Sequence, residues 1–464
     1  MKFQELDIIA PILRAVEEKG YEEPTPIQQE AIPVVMAGKD IFGIARTGTG
    51  KTAAFAIPII QQLMALREQE AAALAEREAA EAATQNEEVH IEAAQKEEVE
   101  AQQVAAEDAE LQSGEDEGVQ SAVAESSEPQ AETRNQRRRR LYRERQRKRR
   151  EKREKEAKLP HFIRALILTP TRELALQIDE CFTDYGKYSG LRHTAIFGGV
   201  KQRPQTDALR KGVDILIATP GRLLDLMGQG EVKVSGLRTL VLDEADRMLD
   251  MGFIADIRRL LPKLPKERQT LFFSATMPDE IVRLSRSMLY HPVRIEVTPA
   301  SSTVDEVEQC VYFVEKPEKR QLLVELLRDN KDKSVLIFAR TKHGADNISK
   351  TLRKKGLRCE ALHGDKSQCQ RQRALDDFKS GKSRIMVATD IAARGIDIKE
   401  LGMVINYDIP DVPETYVHRI GRTGRAGCAG IALTFCTLDE HNIVKDIQHL
   451  TGRKIDTVLY GDTW

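Results

Sequence analysis

None of the six cysteines, at positions 181, 310, 359, 369, 428 and 436, belongs to a CxxC pair. That excludes the common zinc and dithiol motifs and leaves reduced thiols used for packing. No stretch approaches the roughly 20 consecutive apolar residues of a membrane span, and the start, MKFQELDIIA, has no basic region followed by an apolar run. A cytoplasmic protein with no membrane partner is expected. Aromatic side chains are missing throughout one long window, since no Phe, Tyr or Trp occurs between Ile60 and Leu141. There, Glu68 to Thr133 holds 20 acidic and 2 basic residues, and Arg134 to Lys155 holds 14 basic and 3 acidic ones. The formal net charge of −2 is therefore the sum of two opposed blocks. A run this polar buries too little apolar surface to offset its ordering entropy. Residues 68–158 read as a long charged low-complexity insertion.

What remains of the 464 residues exceeds a single core, so two domains are expected. Short apolar runs end abruptly in small, polar or charged residues at 40–47, 165–170, 214–220, 240–244 and 271–276. Each reads as a buried parallel strand, because apolar residues fill consecutive positions instead of alternating. The pattern restarts after the turn-rich Thr298 to Thr303, at 334–340, 360–364, 384–390, 403–407 and 430–435. The fold class predicted is α/β: a first domain over 1–296 carrying the insertion, a linker at 297–306 and a second domain over 307–464.

Ala45, Arg46, Thr47, Gly48, Thr49, Gly50, Lys51 and Thr52 follow the first of these strands. The second half matches a P-loop, in which backbone N–H groups wrap phosphate oxygens, a lysine reaches the outer phosphates and a threonine hydroxyl holds Mg²⁺. Ala45 stands where the generic pattern has its first glycine. Asp243, Glu244, Ala245 and Asp246 follow the apolar run Leu240 to Leu242. Alone, such a tetrapeptide reads as a surface turn. At a strand end beside a P-loop, Asp243 is placed to hold Mg²⁺ through its waters, and Glu244 to accept a proton from an attacking water. Hydrolysis of a nucleotide is the chemistry this pairing suggests.

Further motifs run in a fixed order: Gly20 to Gln28 (GYEEPTPIQ), Pro170 to Ala175 (PTRELA), Gly198 and Gly199, Thr219 to Arg222 (TPGR), Ser274 to Thr276 (SAT), Phe338 to Thr341 (FART), His363 to Gln368 (HGDKSQ), Ala388 to Asp397 (ATDIAARGID) and His418 to Arg425 (HRIGRTGR). With the P-loop and the DEAD tetrapeptide, the sequence resembles the DEAD-box ATP-dependent RNA helicases over both domains, leaving out only the insertion. The wording of the motifs is most similar to the bacterial RhlE-type subfamily. The resemblance implies two tandem RecA-like parallel-sheet domains, ATP with Mg²⁺, and RNA as the partner.

It also implies roles residue by residue. Gln28 would read the adenine edge, since a side-chain amide both donates and accepts. Phe3 would stack on the base, the alternative being a hydrophobic staple at the first helix. Ala45 to Thr52 would cradle the phosphates, and Asp397 would contact the ribose. Arg422 and Arg425 would reach the transferred phosphate from the second domain, where a guanidinium offers a permanent charge and a fixed fork. His418 would help couple that motif to Asp246, Ser274 and Thr276. RNA contacts would come from Pro170, Thr171, Arg172, Gly198, Gly199, Thr219, Pro220, Gly221, Arg222, Arg340, Gln368, Arg371 and Thr389. These are residues suited to backbone phosphate rather than to bases, so sequence-independent binding is expected.

The helix opened by Lys51 is expected to run through about Leu66, and the insertion to leave from the side away from the nucleotide. Within it, Glu144 with Lys148 and Glu151 with Lys155 have the favourable i, i+4 spacing, so the basic arm suits a solvated helix. It reads either as a soluble spacer or as an auxiliary RNA tether with which the acidic block competes. The end, Leu459 to Trp464, is too short and weakly charged for that task. Two other functions stay open at this level: a DNA-directed helicase, separated by Gln28 and the PTRELA segment, and a nonenzymatic ATP-gated RNA clamp, separated by multiple-turnover strand separation. A monomeric core is expected, with ribosomal or RNA-decay proteins as partners in ribosome assembly or RNA turnover.

Overall fold

A computed structural model describes residues 1–45, 48–77, 162–297, 307–393, 401–424 and 430–461. Both charged blocks beyond residue 77, the linker beyond residue 297, and Arg46, Thr47, Asp397 and Arg425 lie outside the described residues. The chain divides into two compact units, Met1–Gln61 with His161–Trp464, and Gln62–Pro160. Of the second, 62–77 are described, and they are helical. The helix that begins at Lys51 thus continues to residue 77, past the expected end near Leu66. The added stretch, REQEAAALAER, is built almost wholly from strong helix formers and holds neither Gly nor Pro.

The first unit contains two seven-stranded sheets. One is built from β1 (Ile41–Ile44), β2 (Ala165–Leu168), β3 (His193–Ile196), β4 (Ile215–Ala218), β5 (Thr239–Leu242), β6 (Gln269–Ser274) and β7 (Val293–Glu296). The other is built from β8 (Val307–Phe313), β9 (Val335–Phe338), β10 (Cys359–Leu362), β11 (Ile385–Ala388), β12 (Met403–Asn406), β13 (Gly430–Cys436) and β14 (Asp456–Leu459). Their orders, β3-β4-β2-β5-β6-β1-β7 and β10-β11-β9-β12-β13-β8-β14, are the same once the second is counted from β8. Strand pairs are parallel in both, as in Ile41 with Leu271 and Met403 with Val335. The two tandem RecA-like α/β sheets expected from the sequence are therefore present.

Central strands are fully buried, four consecutive residues each in β2, β4, β5, β9, β11 and β12. Helices on both faces close the cores, with Phe55, Phe182 and Phe272 buried in the first and Tyr416 and Phe435 in the second. Ten strands coincide with the apolar runs. The other four, β3, β7, β8 and β14, were not anticipated, and each carries exposed or half-exposed positions that break the apolar run.

One buried carboxylate fixes how the strands around the nucleotide loop begin. Asp40, 7% exposed, accepts from the Thr270 and Tyr290 backbone N–H groups, each at 2.7 Å. It thereby ties the entry of β1 to its neighbours on both sides. Asp40→Ala leaves the buried Thr270 donor and the part-buried Tyr290 donor without an acceptor, a loss of about 1–3 kcal/mol. A melting temperature unchanged by this substitution would contradict that assignment.

Candidate nucleotide and nucleic-acid sites

In sheets of this type ligands lie beyond the carboxyl ends of the strands. β6 separates β1 from β5, so the loop after β1 and the acids after β5 are two strand spacings, about 10 Å, apart. The loop is shaped by Gly48 and Gly50, whose φ of 86° and 88° lie in the left-handed region that glycine tolerates. At Gly50 a side chain has no room either, since a Cβ would come 2.4 Å from Gln28 Nε2.

Gln28 and Thr25 hold this loop from the preceding helix, Pro26–Met36. Gln28 Nε2 donates to Gly50 O at 3.0 Å, Thr25 Oγ1 donates to Thr49 O at 2.8 Å, and Gln28 Oε1 accepts from the Thr25 N–H at 3.0 Å. One amide hydrogen and one lone pair of Gln28 remain beyond these bonds. Lys51 is buried and donates to Ala45 O at 2.8 Å, across the mouth of the loop. Thr52 beside it is half-buried, and Phe3 is buried in the short turn Phe3–Leu6.

Asp243 is 2% exposed, and its Oδ1 has no hydrogen-bond partner among the described residues. Burial pushes its carboxyl above the ordinary range, the Lys51 ammonium opposes this, and the Glu244 charge adds to it. A buried carboxylate beside a buried ammonium, with an unmatched oxygen, suits a cation and the waters around it. Glu244 is also buried and takes φ 56°, ψ 51°, a left-handed conformation that costs a non-glycine residue about 1–3 kcal/mol. Its Oε2 accepts from Arg247 Nη1 at 2.7 Å.

Asp246 is satisfied by the segment after β6. Its Oδ2 accepts from the Ala275 N–H, the Thr276 N–H and Thr276 Oγ1 at 3.2, 2.9 and 3.0 Å. The Asp246 N–H donates to Ser274 Oγ at 3.2 Å, and Ser274 Oγ donates to Thr276 O at 2.8 Å. The three residues expected to act together are thus one hydrogen-bonded cluster.

A second region is a cleft of about 440 Å³, lined by Pro170, Thr171, Arg172, Glu173, Gly198, Thr219, Gly221, Arg222 and Arg371 among others. Burial, followed by the positive charges of Arg371 and Arg222, holds the Arg172 guanidinium below its ordinary value, with only Glu173 opposing. Glu173, 3% exposed, bonds to Arg371 at 2.9 Å and accepts from Gln368 at 3.2 Å. Arg371 Nε is buried with no hydrogen-bond partner among the described residues. Gly199 lets the Arg172 guanidinium lie against the backbone, where a Cβ would stand 2.1 Å from Nη1. Arg340 is turned elsewhere, bonding to Ile409 O at 3.0 Å and Glu440 at 3.1 Å, with Asp411 at 3.3 Å. Gly199, Pro220, Arg340, Gln368 and Thr389 do not line this cleft.

In the second sheet, His418 and Arg422 line a smaller crevice together with Asp390 and Arg419, and with Arg247 and Asp250 of the first. Arg419 grips Asp390 with a fork, Nε to Oδ1 at 2.6 Å and Nη2 to Oδ2 at 2.7 Å. Sequence reasoning passed over Arg247 and Arg419. For Arg247 the i, i+3 spacing from Glu244 was an available signal; for Arg419, 29 positions from Asp390, there was none.

Residues 25–284 match the family model for DEAD/DEAH box helicases, and 318–427 match that of the helicase conserved C-terminal domain. The chain is 34% identical over 455 residues to the DEAD-box ATP-dependent RNA helicase CshA of Streptococcus pneumoniae serotype 4, covering 98% of this chain and 69% of that protein. It is 36% identical over 453 residues to DEAD-box ATP-dependent RNA helicase 20 of Arabidopsis thaliana, covering 97% and 73%. Among solved structures, S. cerevisiae Dbp5 bound to RNA and ADP BeF3 matches with a TM-score of 0.70 and 25% identity, over 99% of this chain and 96% of that one.

Proposed function

The chain belongs to the DEAD-box family of ATP-dependent RNA helicases, and from that premise we propose how its residues couple ATP hydrolysis to local opening of RNA duplexes. The observation that carries this reading is the cleft in which Arg172 and Arg222 of the first sheet meet Arg371 of the second. Glu173 balances Arg371 and Asp225 stands 3.7 Å from Arg222, so the cleft keeps an excess of positive charge that an anionic backbone can match. Contacts of that kind read phosphate, so the duplex is opened without regard to sequence.

At the nucleotide, the backbone of Gly48 to Lys51 receives the phosphates and Lys51 Nζ meets their outer oxygens. Thr52 and, through water, Asp243 would hold Mg²⁺, which when bound neutralises phosphate charge. The remaining amide hydrogen and lone pair of Gln28 suit the adenine edge. Glu244 orients the attacking water and accepts its proton. Arg422 supplies positive charge from the second domain, and Arg425 and Asp397 take the places that the family pattern gives them. The Asp246, Ser274 and Thr276 cluster relates this chemistry to the domain surfaces. Hydrolysis therefore depends on both domains, and release of phosphate resets the grip on RNA.

The motif wording supports an RhlE-type member; ribosome assembly and RNA turnover both fit the family, and the reading takes a monomeric core with residues 68–158 as an insertion in the first domain. Among the described residues no helix is long and apolar enough to cross a membrane. The first test is steady-state ATP hydrolysis without nucleic acid, with single-stranded RNA, and with DNA of the same sequence, using Glu244→Gln as the blank. RNA alone is expected to stimulate strongly, and only with Glu244 intact. Equal stimulation by DNA would move the substrate to nucleic acid in general, and none by either would leave an ATP-gated scaffold.

A further inference from the structure

The geometry points to Arg247 as a positioning residue that fixes the carboxylate of Glu244 and carries the state of the Ser274 to Thr276 segment to it; this rests on the hydrolytic role proposed for Glu244. Arg247 is 6% exposed, and its Nη1 donates to Glu244 Oε2 at 2.7 Å. Only one carboxylate oxygen is engaged by it, which leaves Oε1 to face an attacking water. Glu244 stands on a strained left-handed residue, where backbone alone is a poor guide to side-chain direction. A planar guanidinium is well suited to fixing that direction.

The other end of the link is equally definite. The Arg247 N–H donates to Asp246 Oδ1 at 3.1 Å, while Asp246 Oδ2 takes the Thr276 N–H and hydroxyl. Charge-assisted hydrogen bonds thus run from Thr276 to Asp246 and on to the Arg247 backbone, and the Arg247 side chain carries the link covalently to its own bond with Glu244. Arg247 also lines the crevice that holds His418, Asp390 and Arg422 of the second sheet. A change at the Ser274 to Thr276 segment or at that crevice reaches the reacting carboxylate through this one side chain.

Arg247→Gln should lower the turnover of RNA-stimulated ATP hydrolysis roughly ten- to a hundredfold, the scale of a misaimed catalytic group. KM for ATP and the affinity for single-stranded RNA should stay within about twofold, because Arg247 touches neither the phosphate loop nor the RNA cleft in this reading. Arg247→Lys keeps the charge without the planar fork, so its turnover should fall between the two. Combining Arg247→Gln with Thr276→Ala, which removes one of the three donors to Asp246 Oδ2, should slow hydrolysis no further than the slower single variant, since both weaken one line. Should Arg247→Gln fail to fold in a thermal melt, the Lys variant decides. Wild-type turnover in Arg247→Lys, a rise in KM matching the loss, or additive effects would each overturn the proposal. Glu244→Gln is run in parallel: activity retained there removes the underlying role of Glu244, whereas activity lost there but kept in Arg247→Gln removes only that of Arg247.

Discussion

Arg422→Ala should lower the turnover of RNA-stimulated ATP hydrolysis by roughly 10³-fold or more, the scale set by arginine fingers in phosphoryl transfer. Arg422 is 6% exposed and follows the helix Pro413–Ile420. That helix is held by its neighbour in sequence, for Arg419 forks onto Asp390 and also donates to Asn406 Oδ1 at 3.2 Å and Asp408 O at 2.6 Å. In the proposed role Arg422 stands just past an anchored helix, so its position would cost little reorganisation when charge develops on the phosphate. Arg422→Lys should recover only a small part, because a point charge replaces a fork. Binding of a fluorescent ATP analogue to the first domain's loop should persist in both variants while kcat at saturating RNA falls. A loss of less than tenfold in the alanine variant would assign the task elsewhere in the motif.

The anchoring of that finger marks the boundary of what the sequence discloses. Strands with four buried residues, such as Leu166 in β2 or Val404 in β12, declare themselves because both faces meet helices and every position must be apolar. Edge strands do not: His193 to Ile196 is half-buried before the buried Ile196, and Asp456 to Leu459 pairs through backbone groups with its side chains exposed. Among candidate site residues, those on short local loops were legible, because the spacing within Gly48 to Thr52 or Asp243 to Asp246 is itself the motif. Residues acting through another side chain were not. Glu173 lies in the PTRELA segment and was given no role of its own, and its carboxylate is the buried counter-charge of Arg371, a pairing 198 positions apart in the chain. Arg340 was read with the RNA contacts, and its guanidinium is held by the Ile409 carbonyl and the carboxylates of Asp411 and Glu440. In both cases the ionic partner comes from far along the chain, where motif spacing carries no signal.

Lys51→Ala should separate the two halves of the activity, abolishing hydrolysis while sparing the ground-state grip on RNA. Lys51 does two things in the structure: its ammonium bonds to Ala45 O at 2.8 Å, and its charge opposes the effect of burial on Asp243. Removing it unfastens the loop that Gln28 holds at Gly50 from the other side, and leaves the outer phosphates without their nearest cation. Loss of one such preorganised donor slows turnover roughly 10²- to 10³-fold, and ATP affinity should weaken with it. Arg172, Arg222 and Arg371 lie in a cleft that Lys51 does not line, so single-stranded RNA should bind as in the wild type when nucleotide is absent. What should vanish is the tightening of RNA binding by a nonhydrolysable ATP analogue, because in the proposed mechanism that gain comes from drawing the second domain's arginines onto a bound phosphate. Titrating labelled RNA with and without the analogue reads both quantities in one experiment. If the analogue still tightened RNA binding in Lys51→Ala, closure of the two domains would have to be driven from the adenine side of the site, through Gln28, and not from the phosphates.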